Sequence, residues 1–225
     1  MAQIMYEKGD LKITWLGHDG FKFESGKETL VIDPFKLSHE AKADYLLLTH
    51  EHFDHSNAED IGKVVKSGST VVVAIPASKE ELSKVKSKPK EIKYVKPGDK
   101  VKLGSFEVQA VPAYNTNKYA APGRHFHPKE DQKVGYIIKT SGGISVYHTG
   151  DSDFIPEMKG LKPDIALVPV SGTYVMTSDE AVEAVASINP KVAIPMHYAS
   201  IVGTKDDAQR FKEKVKTEVV ILEKE

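Results

Sequence analysis

The sequence predicts an α/β protein folded as a four-layer αββα sandwich, in which two packed sheets carry helices on their outer faces. Three observations support this fold class: about a dozen short β-branched or aromatic segments, four predicted helical segments, and alternation of the two along the chain. The chain has 225 residues, of which 40% are hydrophobic. It can therefore bury a continuous core, and we expect one domain over residues 1–225.

The predicted strands recur from one end of the chain to the other. Each is a run rich in Val, Ile, Phe, Tyr or Thr that is bounded by Gly, Pro, Asp or Asn. They cover residues 11–17, 20–24, 29–34, 45–50, 70–75, 92–95, 101–111, 134–140, 144–148, 165–170, 192–196 and 218–222. No repeat of fixed period is evident.

Capping signals predict three of the four helices. A Ser or Thr followed three residues later by Glu is the capping-box pattern, in which each side chain accepts a hydrogen bond from a free amide of the other residue. The pattern occurs at Ser56 with Glu59, at Ser78 with Glu81 and at Thr177 with Glu180. A fourth helix is predicted over residues 204–216.

The least regular segment covers residues 114–133. A connection of about twenty residues is long for a compact domain and is usually functional or mobile, so we interpret it as a candidate lid. Lys118, Arg124 and Lys129 would give this lid a positive charge that suits an anionic substrate. Neighbouring acidic residues dilute that charge, and a solvated loop of mixed charge is the alternative.

The composition excludes several classes of function. Lysine and arginine (31 residues) nearly balance aspartate and glutamate (32 residues), so we expect a small-molecule partner and no nucleic acid. The sequence has no cysteine, so any metal must be held by nitrogen and oxygen ligands. No apolar run approaches the roughly 18 residues of a membrane span. We therefore expect no membrane partner and a cytoplasmic location, and the sequence leaves room for a homo-oligomer.

A histidine-rich run, Thr49-His50-Glu51-His52-Phe53-Asp54-His55, ends the fourth predicted strand. His50, His52 and Asp54 alternate along an extended segment, so we expect their side chains on one side of the backbone, with His55 turning as the helix begins. Imidazole and carboxylate groups are ligands that Zn²⁺, Mn²⁺ and Fe²⁺ accept. The run therefore predicts a metal site rather than a chance cluster of surface histidines.

The run resembles the H-x-H-x-D-H motif of the metallo-β-lactamase superfamily, and the resemblance covers nearly the whole chain. It extends to Asp33, Asp151 and His197, each of which lies at or just after the end of a predicted strand. The resemblance implies the fold predicted above and a small metal-dependent hydrolase of the lactonase-like type. It also implies that Asp33 orients a ligand histidine.

The resemblance further implies a centre of two divalent metal ions, with Zn²⁺ as the first expectation and Mn²⁺ or Fe²⁺ as alternatives. Each ion would be held by imidazole and carboxylate side chains from separate parts of the chain. The implied ligands are His50 and His52 for the first ion, Asp54, His55 and His197 for the second, and Asp151 as the bridge.

The sequence departs from the family pattern at one ligand position. The family places a third histidine for the first ion shortly after a middle strand, where this chain has Asn115. Three replacements stay open: His127, His125 and Asn115 itself. We favour His127, because its aromatic and proline neighbours could anchor a turn beside the site.

Three further residues are candidate catalytic groups. Asp54 could transfer a proton while it also binds metal. His18 follows the first predicted strand, and relatives with a Gly-His near the N-terminus place it at the site as a ligand or proton shuttle. An ordinary turn histidine is the alternative. Tyr174 belongs to a loop expected at the active face, where it could contact substrate.

The predicted chemistry is hydrolysis. The two divalent ions that the resemblance implies would acidify water for attack on an ester, lactone or phosphoester bond of a small metabolite that could be anionic. A metal-dependent nuclease, a redox diiron protein and a non-catalytic metal-binding protein are the alternatives. The redox alternative is disfavoured because oxygen-handling members of the family have a carboxylate in place of His52.

Overall fold

The computed structural model describes residues 3–225, so the first two residues of the predicted domain lie outside the described part. Within residues 3–225 the chain forms two seven-stranded sheets, a separate two-stranded hairpin and four α-helices. The predicted α/β class and four-layer αββα arrangement are confirmed. No helix in this range combines the length and apolarity that crossing a bilayer requires.

The first sheet contains the first seven strands in chain order. They are β1 (Met5–Lys8), β2 (Leu11–Gly17), β3 (Gly20–Ser25), β4 (Glu28–Ile32), β5 (Tyr45–Leu47), β6 (Val71–Ala74) and β7 (Glu91–Tyr94). Strands β1 to β4 are antiparallel neighbours, whereas β4 to β7 run parallel. The parallel connections contain α1 (Ala58–Val64) and α2 (Lys79–Lys84).

The remaining strands form the hairpin and the second sheet. They are β8 (Lys100–Leu103), β9 (Phe106–Pro112), β10 (Tyr119–Ala121), β11 (Arg124–His125), β12 (Val134–Thr140), β13 (Ser145–His148), β14 (Ile165–Pro169), β15 (Val192–Met196) and β16 (Glu218–Val219). The second sheet has the order β16-β15-β14-β13-β12-β9-β8, and β10 pairs only with β11. Helices α3 (Ser178–Ile188) and α4 (Lys205–Lys214) lie in its parallel connections.

Two predicted elements differ from the structure because of local turns. The segment predicted as one strand over 101–111 is the hairpin of β8 and β9, which turns at Gly104 with φ of 51°. Glycine adopts this left-handed conformation without the strain that a Cβ brings. The candidate lid is also less irregular than expected, since it contains the β10–β11 hairpin.

The capping boxes were predicted with mixed success. At α3, Thr177 Oγ1 accepts from the Glu180 amide at 3.2 Å and Glu180 Oε2 accepts from the Thr177 amide at 2.7 Å, as predicted. The box at Ser56 is wrong, because the Ser56 hydroxyl donates to the carbonyl oxygen of His50 at 2.6 Å. Asn57 caps α1 instead, its side-chain oxygen accepting from two helix amides. The predicted box at Ser78 is also wrong, because that residue makes no side-chain capping bond.

Apolar side chains fill the space between the sheets. Phe23 and Leu30 of the first sheet and Phe106 and Tyr136 of the second belong to one buried cluster that also reaches α3 and α4. A smaller cluster packs α1 and α2 on the other face of the first sheet. The parallel strands of each sheet end at the same edge of the sandwich. The residues that follow β4, β5, β13, β14 and β15 therefore lie close together at this edge.

Asp164 joins three strands of the second sheet. Its carboxylate accepts from the Ser145 amide at 2.9 Å, from the Ser145 hydroxyl at 3.0 Å and from Lys191 Nζ at 2.7 Å. Burial would raise the pKa of Asp164, but these hydrogen bonds lower it to about 2. The pKa in the folded state is therefore below that of the unfolded chain, so Asp164 stabilises the fold above about pH 4 and this contribution is lost as the pH falls towards 2.

We expect Asp164→Asn to lower the free energy of unfolding at neutral pH by about 2 kcal/mol, because the carboxylate charge strengthens all three hydrogen bonds. The difference from the wild-type protein should shrink as the pH is lowered below about 4. Urea unfolding at neutral and acidic pH checks this expectation. A difference that stays constant over the whole pH range contradicts it.

Candidate metal centre

Three histidines converge where the histidine run meets the candidate lid. His50 Nε2 lies 3.0 Å from His52 Nδ1, and His127 Nε2 lies 3.3 Å from the same His52 atom. His50 and His127 are buried, whereas His52 is partly exposed. The three facing nitrogens are mutually within 4.8 Å, which is close enough for one cation to contact them all. We refer to His50, His52 and His127 as the three-histidine group.

A second group lies beside the first and contains carboxylate as well as imidazole. His18 Nε2 is 3.0 Å from Asp54 Oδ2, and His55 Nε2 is 3.8 Å from the same oxygen. His197, which follows β15, offers a ring nitrogen within 4.8 Å of the other three ligand atoms. We refer to His18, Asp54, His55 and His197 as the mixed group.

The Asp151 carboxylate contacts both groups. Its Oδ2 lies 3.4 Å from His127 Nε2 and 3.3 Å from His197 Nε2, and its Oδ1 lies 3.4 Å from His55 Nε2. His50 Nε2 is 4.0 Å from Oδ2. A single carboxylate therefore stands between the three-histidine group and the mixed group.

The histidine run is not extended, contrary to the alternation argument made from the sequence. Strand β5 ends at Leu47, three residues before His50. The carbonyl oxygen of His52 accepts from the amides of both His55 and Ser56 at 2.9 Å, so the chain turns at this point. The turn sends His50 and His52 to one group and Asp54 and His55 to the other.

The imidazoles are held by hydrogen bonds to the ring nitrogen that faces away from the centre. Such partners fix the tautomer and the direction of a ligand ring. The Nδ1 partners are Thr49 Oγ1 for His50 (3.0 Å), Asp33 Oδ2 for His55 (2.8 Å), Asn115 Oδ1 for His127 (3.0 Å) and Ser171 Oγ for His197 (2.9 Å). Asp33 thus contacts a histidine in the orienting position that the sequence suggested.

Three residues at the centre have unusual backbone conformations. His18, Asp33 and His197 have φ values of 54°, 42° and 58°, in the left-handed region that costs a non-glycine residue energy. Each follows the end of a strand, where the chain bends sharply to aim a side chain into the centre. Strained backbone at a cluster of ligand-type side chains is typical of a functional site.

The surroundings of the imidazoles favour different charge states. Burial lowers the pKa of His50 well below its ordinary value and that of His127 to about 4, so both rings are neutral at pH 7 and able to bind a cation. Burial also disfavours charge on His197, but the Asp151 and Asp19 carboxylates raise its pKa to about 9. A cation that binds here would displace this proton.

Several buried polar atoms at the centre have no hydrogen-bond partner among residues 3–225. They include His55 Nε2, His197 Nε2, Asp151 Oδ1 and both side-chain oxygens of Asp19. A buried polar atom without a partner is costly, and a cation that contacts these atoms removes that cost. The donor set, imidazole with carboxylate and no sulfur, suits Zn²⁺, Mn²⁺ or Fe²⁺. The residues therefore fit divalent metal ions.

Asp19 was not identified from the sequence. Its side chain is 0% exposed, and Oδ2 lies 4.0 Å from His55 Nδ1. One of its oxygens groups with ligand atoms of His55, Asp151 and His197 within 4.8 Å. Burial raises the pKa of Asp19 well above its ordinary value. The only signal in the sequence was its position next to His18 in a turn between two strands.

The other candidates for the third ligand of the first ion, His125 and Asn115, lie outside the two groups, and so does His148. His125 stacks on Tyr119 in the β10–β11 hairpin, with ring centroids 4.4 Å apart, and is not among the clustered ligand atoms. Asn115 contacts His127 rather than the other histidines. His148, to which the sequence analysis assigned no role, is buried and faces the carbonyl oxygen of Asp19 at 2.9 Å.

A cavity of about 280 Å³ opens over the centre. Apolar and metal-ligand-type side chains line it, namely His52, Phe53, Asp54, Phe126, His127, Asp151, Tyr174 and Ile201. Tyr174 therefore lies at the cavity, as suggested for a substrate-contacting residue. Its carbonyl oxygen accepts from Asn115 Nδ2 at 2.9 Å, which ties this wall to the residue that orients His127.

Asn115→Ala is expected to weaken metal binding at the three-histidine group by about 10- to 100-fold, which is the usual cost of losing a partner that orients a ligand. Asn115 Oδ1 accepts from the His127 amide at 2.8 Å as well as facing its ring. Calorimetric titration of the metal-free protein measures the affinity.

The matched control for Asn115→Ala is Asn117→Ala. Asn117 is of the same residue type in the same segment, but its side chain donates to Glu180 at 2.6 Å instead of facing a ligand histidine. We expect its metal affinity to stay within a few-fold of wild type. An equal loss in both variants would contradict the orienting role of Asn115.

Comparison with known proteins identifies the family. A model described as the beta-lactamase superfamily domain matches residues 12–197. A UPF0173 metal-dependent hydrolase of Archaeoglobus fulgidus is 34% identical over 239 aligned positions, covering 94% of this chain and 96% of the relative. The crystal structure of a Parabacteroides distasonis protein assigned to the metal-dependent hydrolases is also 34% identical, with a TM-score of 0.78, and covers 96% of this chain and 94% of its own.

A third similarity concerns the fold alone. Igni18, a metallo hydrolase of Ignicoccus hospitalis, is 24% identical and superimposes with a TM-score of 0.73, covering 95% of each chain. The match of the family model and the relatives at 34% identity confirm the predicted resemblance and the predicted enzyme class. The chain therefore belongs to the metallo-β-lactamase superfamily and is one of its metal-dependent hydrolases.

Proposed function

We propose that the protein hydrolyses an ester, lactone or phosphoester bond of a small metabolite at a centre of two divalent metal ions, with Zn²⁺ as the first candidate. The observation that carries this proposal is the position of Asp151, within 3.4 Å of imidazole nitrogens from both groups. One carboxylate between two sets of ligands suits two neighbouring cations, because its negative charge offsets their mutual repulsion.

The proposed ligands follow the two groups. The three-histidine group would hold the first ion, with His127 as the third ligand in place of His125. In the mixed group, Asp54, His55 and His197 would hold the second ion, and Asp151 would contact both. Asp19 is a further carboxylate within reach of the second ion. When bound, the two ions supply polarisation of the scissile bond and acidification of water, which the side chains alone lack.

The remaining roles belong to side chains around the ions. Asp54 lines the cavity and can accept a proton from the attacking water and return it to the leaving group. His18 Nε2 lies 3.0 Å from Asp54 Oδ2, so it holds this carboxylate in position and can share the proton. Tyr174 forms part of the cavity wall and can contact the substrate beside the scissile bond.

The size of the cavity supports a small-molecule partner. A volume of about 280 Å³ is near the lower end of typical small-ligand sites. Among residues 3–225, no lysine or arginine lines this cavity, whereas nuclease sites need positive charge to hold phosphates. The cytoplasmic location and the homo-oligomer suggested by the sequence stay predictions.

Metal content and a substrate panel test the proposal together. The protein is stripped with a chelator, reloaded with Zn²⁺, Mn²⁺ or Fe²⁺, and offered p-nitrophenyl acetate, γ-butyrolactone, p-nitrophenyl phosphate and bis-p-nitrophenyl phosphate. We expect two ions per chain and hydrolysis that disappears in the stripped protein. A loaded protein that binds two ions and cleaves none of these bonds would contradict the proposal.

The variants His127→Ala and His125→Ala form a matched pair for the third ligand. They remove the same side chain from the same segment, but only His127 lies in the three-histidine group. We expect His127→Ala to retain one ion tightly and His125→Ala to retain both. Loss of an ion from the His125 variant alone would contradict the proposed ligand set.

A further inference from the structure

Four apolar side chains surround the mouth of the cavity over the metal centre. They are Phe53, Phe126, Tyr174 and Ile201, and we call them the apolar rim. Phe53 is 64% exposed and Ile201 is 38% exposed, although large apolar side chains usually avoid water. A cluster of exposed apolar residues at one opening is typical of a surface that becomes covered by a ligand.

The rim has a defined shape because its aromatic rings pack against neighbours. Phe53 meets Phe35 edge-on with ring centroids 5.8 Å apart, and Phe126 meets Tyr174 edge-on at 4.8 Å. The four residues come from separate segments: the histidine run, the candidate lid, and the loops after β14 and β15. The wall is therefore assembled by the fold around the same cavity that Asp54 and Asp151 line.

The positive charges of the lid are not available to a substrate in this cavity. Lys118 Nζ lies 2.8 Å from Glu180 and 3.5 Å from Asp153, and Lys129 Nζ lies 2.8 Å from Glu157. The third cation expected to serve an anion, Arg124, is exposed on the β10–β11 hairpin. An anionic group that enters between the rim residues would therefore lose water without gaining a partner.

We infer that the substrate carries an uncharged aliphatic or aromatic substituent, which packs against the apolar rim while the scissile ester or lactone bond lies at the metal centre. This inference rests on the proposed hydrolytic function and narrows its substrate class. The metal ions would face the scissile bond and the rim faces the substituent, so the charge that this rim disfavours is a charge on the substituent.

The reaction balances with water as the only co-reactant. The water oxygen forms a bond to the acyl carbon and the bond between the acyl carbon and the alcohol oxygen breaks. The alcohol oxygen takes up one proton from the water. One ester and one water thus give one carboxylic acid and one alcohol, or a hydroxy acid when the substrate is a lactone.

A series of p-nitrophenyl esters tests the inference in the metal-loaded protein. The acetate, butyrate and hexanoate extend the acyl chain by two methylenes at a time, and the succinate half-ester places a carboxylate where the others have carbon. We expect kcat/KM to rise about tenfold for each two methylenes added, because the added groups are transferred from water to the apolar surface of the rim. We expect the succinate to be a poorer substrate than the butyrate.

Three variants assign the selectivity to the rim. Phe53→Ala and Ile201→Ala should flatten the dependence on chain length, with metal content measured for each because Phe53 lies within the histidine run. Ile201 lies outside that run, so its variant keeps the test valid if Phe53→Ala loses metal. Tyr94→Ala is the control, since Tyr94 is 42% exposed but lies on β7 outside the cavity lining. It should retain the wild-type selectivity.

Methyl ketones with the same carbon chains separate this inference from the proposed function, because they offer no bond to hydrolyse. Ligand-observed NMR should show that their affinity rises with chain length and falls in Ile201→Ala. Failure to cleave any ester while the ketones bind in this order would overturn the proposed hydrolysis but support the rim. Equal binding of short and long ketones, or preference for the succinate ester, would overturn the rim as an apolar subsite.

Discussion

Asp151→Asn is expected to lower kcat/KM for the ester or lactone that the wild-type protein cleaves by on the order of 10³-fold. Loss of a residue that only orients a metal ligand already costs about 10- to 100-fold in activity, and Asp151 is proposed to bind the metal ions itself. The substitution keeps the shape of the side chain but removes the negative charge. Asp151 is the only residue within residues 3–225 whose carboxylate lies within 3.4 Å of imidazoles from both groups.

The kcat/KM and the metal content of the Asp151 variant should fall together. We expect the purified variant to hold fewer than two ions per chain, because neighbouring cations repel each other strongly without a shared anion. Asp164→Asn is a matched control, since it makes the same chemical change at a partly buried carboxylate of the second sheet that contacts Ser145 and Lys191. If Asp151→Asn kept two ions and activity within tenfold of wild type, the shared-carboxylate arrangement would be wrong.

Removing the metal ions is expected to lower the free energy of unfolding by about 5 kcal/mol. The reference is the metal-loaded protein, measured with each free ion at about 100 times its dissociation constant. Each of two independent ions then contributes about 2.7 kcal/mol, because it binds the folded chain and not the unfolded one. The structural reason is the set of buried imidazole and carboxylate atoms that lack hydrogen-bond partners among the described residues.

Thermal unfolding with and without a chelator measures this effect. The melting temperature should rise with the concentration of added Zn²⁺ and should not respond to Ca²⁺, which prefers a shell of oxygen ligands. The variant His50→Ala should show a smaller rise than the wild-type protein. A melting temperature that is the same in chelator and in Zn²⁺ would contradict the metal-binding role of the centre.

The sequence was informative about the fold because most elements follow strong local patterns. Runs such as Leu11–Gly17 and Val134–Thr140 are strands in the structure with the predicted bounds, and the box at Thr177 forms as expected. Local patterns could not separate β8 from β9, because the glycine turn between them interrupts the alternation by only two residues. Strand β1 was missed because its sequence, Met-Tyr-Glu-Lys, is short and polar.

The candidate centre was only partly accessible to sequence reasoning. The side-chain chemistry of the histidine run pointed to a metal site, but the turn at His52 divides the run between two groups and alternation along a strand could not foresee it. The choice between His125 and His127 depends on the β10–β11 hairpin, which turns one ring towards Tyr119 and leaves the other beside His52.

Asp19 illustrates what a linear pattern cannot provide. An aspartate in a turn next to a glycine is ordinary in any sequence. Its significance comes from complete burial, from proximity to His55 and His197, and from two side-chain oxygens that lack hydrogen-bond partners within residues 3–225. These properties arise only when both sheets are packed, since Asp19 follows β2 whereas His197 follows β15.

Anomalous X-ray diffraction from crystals of the Zn²⁺-loaded protein tests the shared-carboxylate centre most directly. We expect two zinc peaks, one contacted by His50, His52 and His127 and the other by Asp54, His55 and His197, with Asp151 contacting both. A single peak, or two peaks of which Asp151 contacts only one, would contradict the arrangement from which the proposed hydrolysis follows.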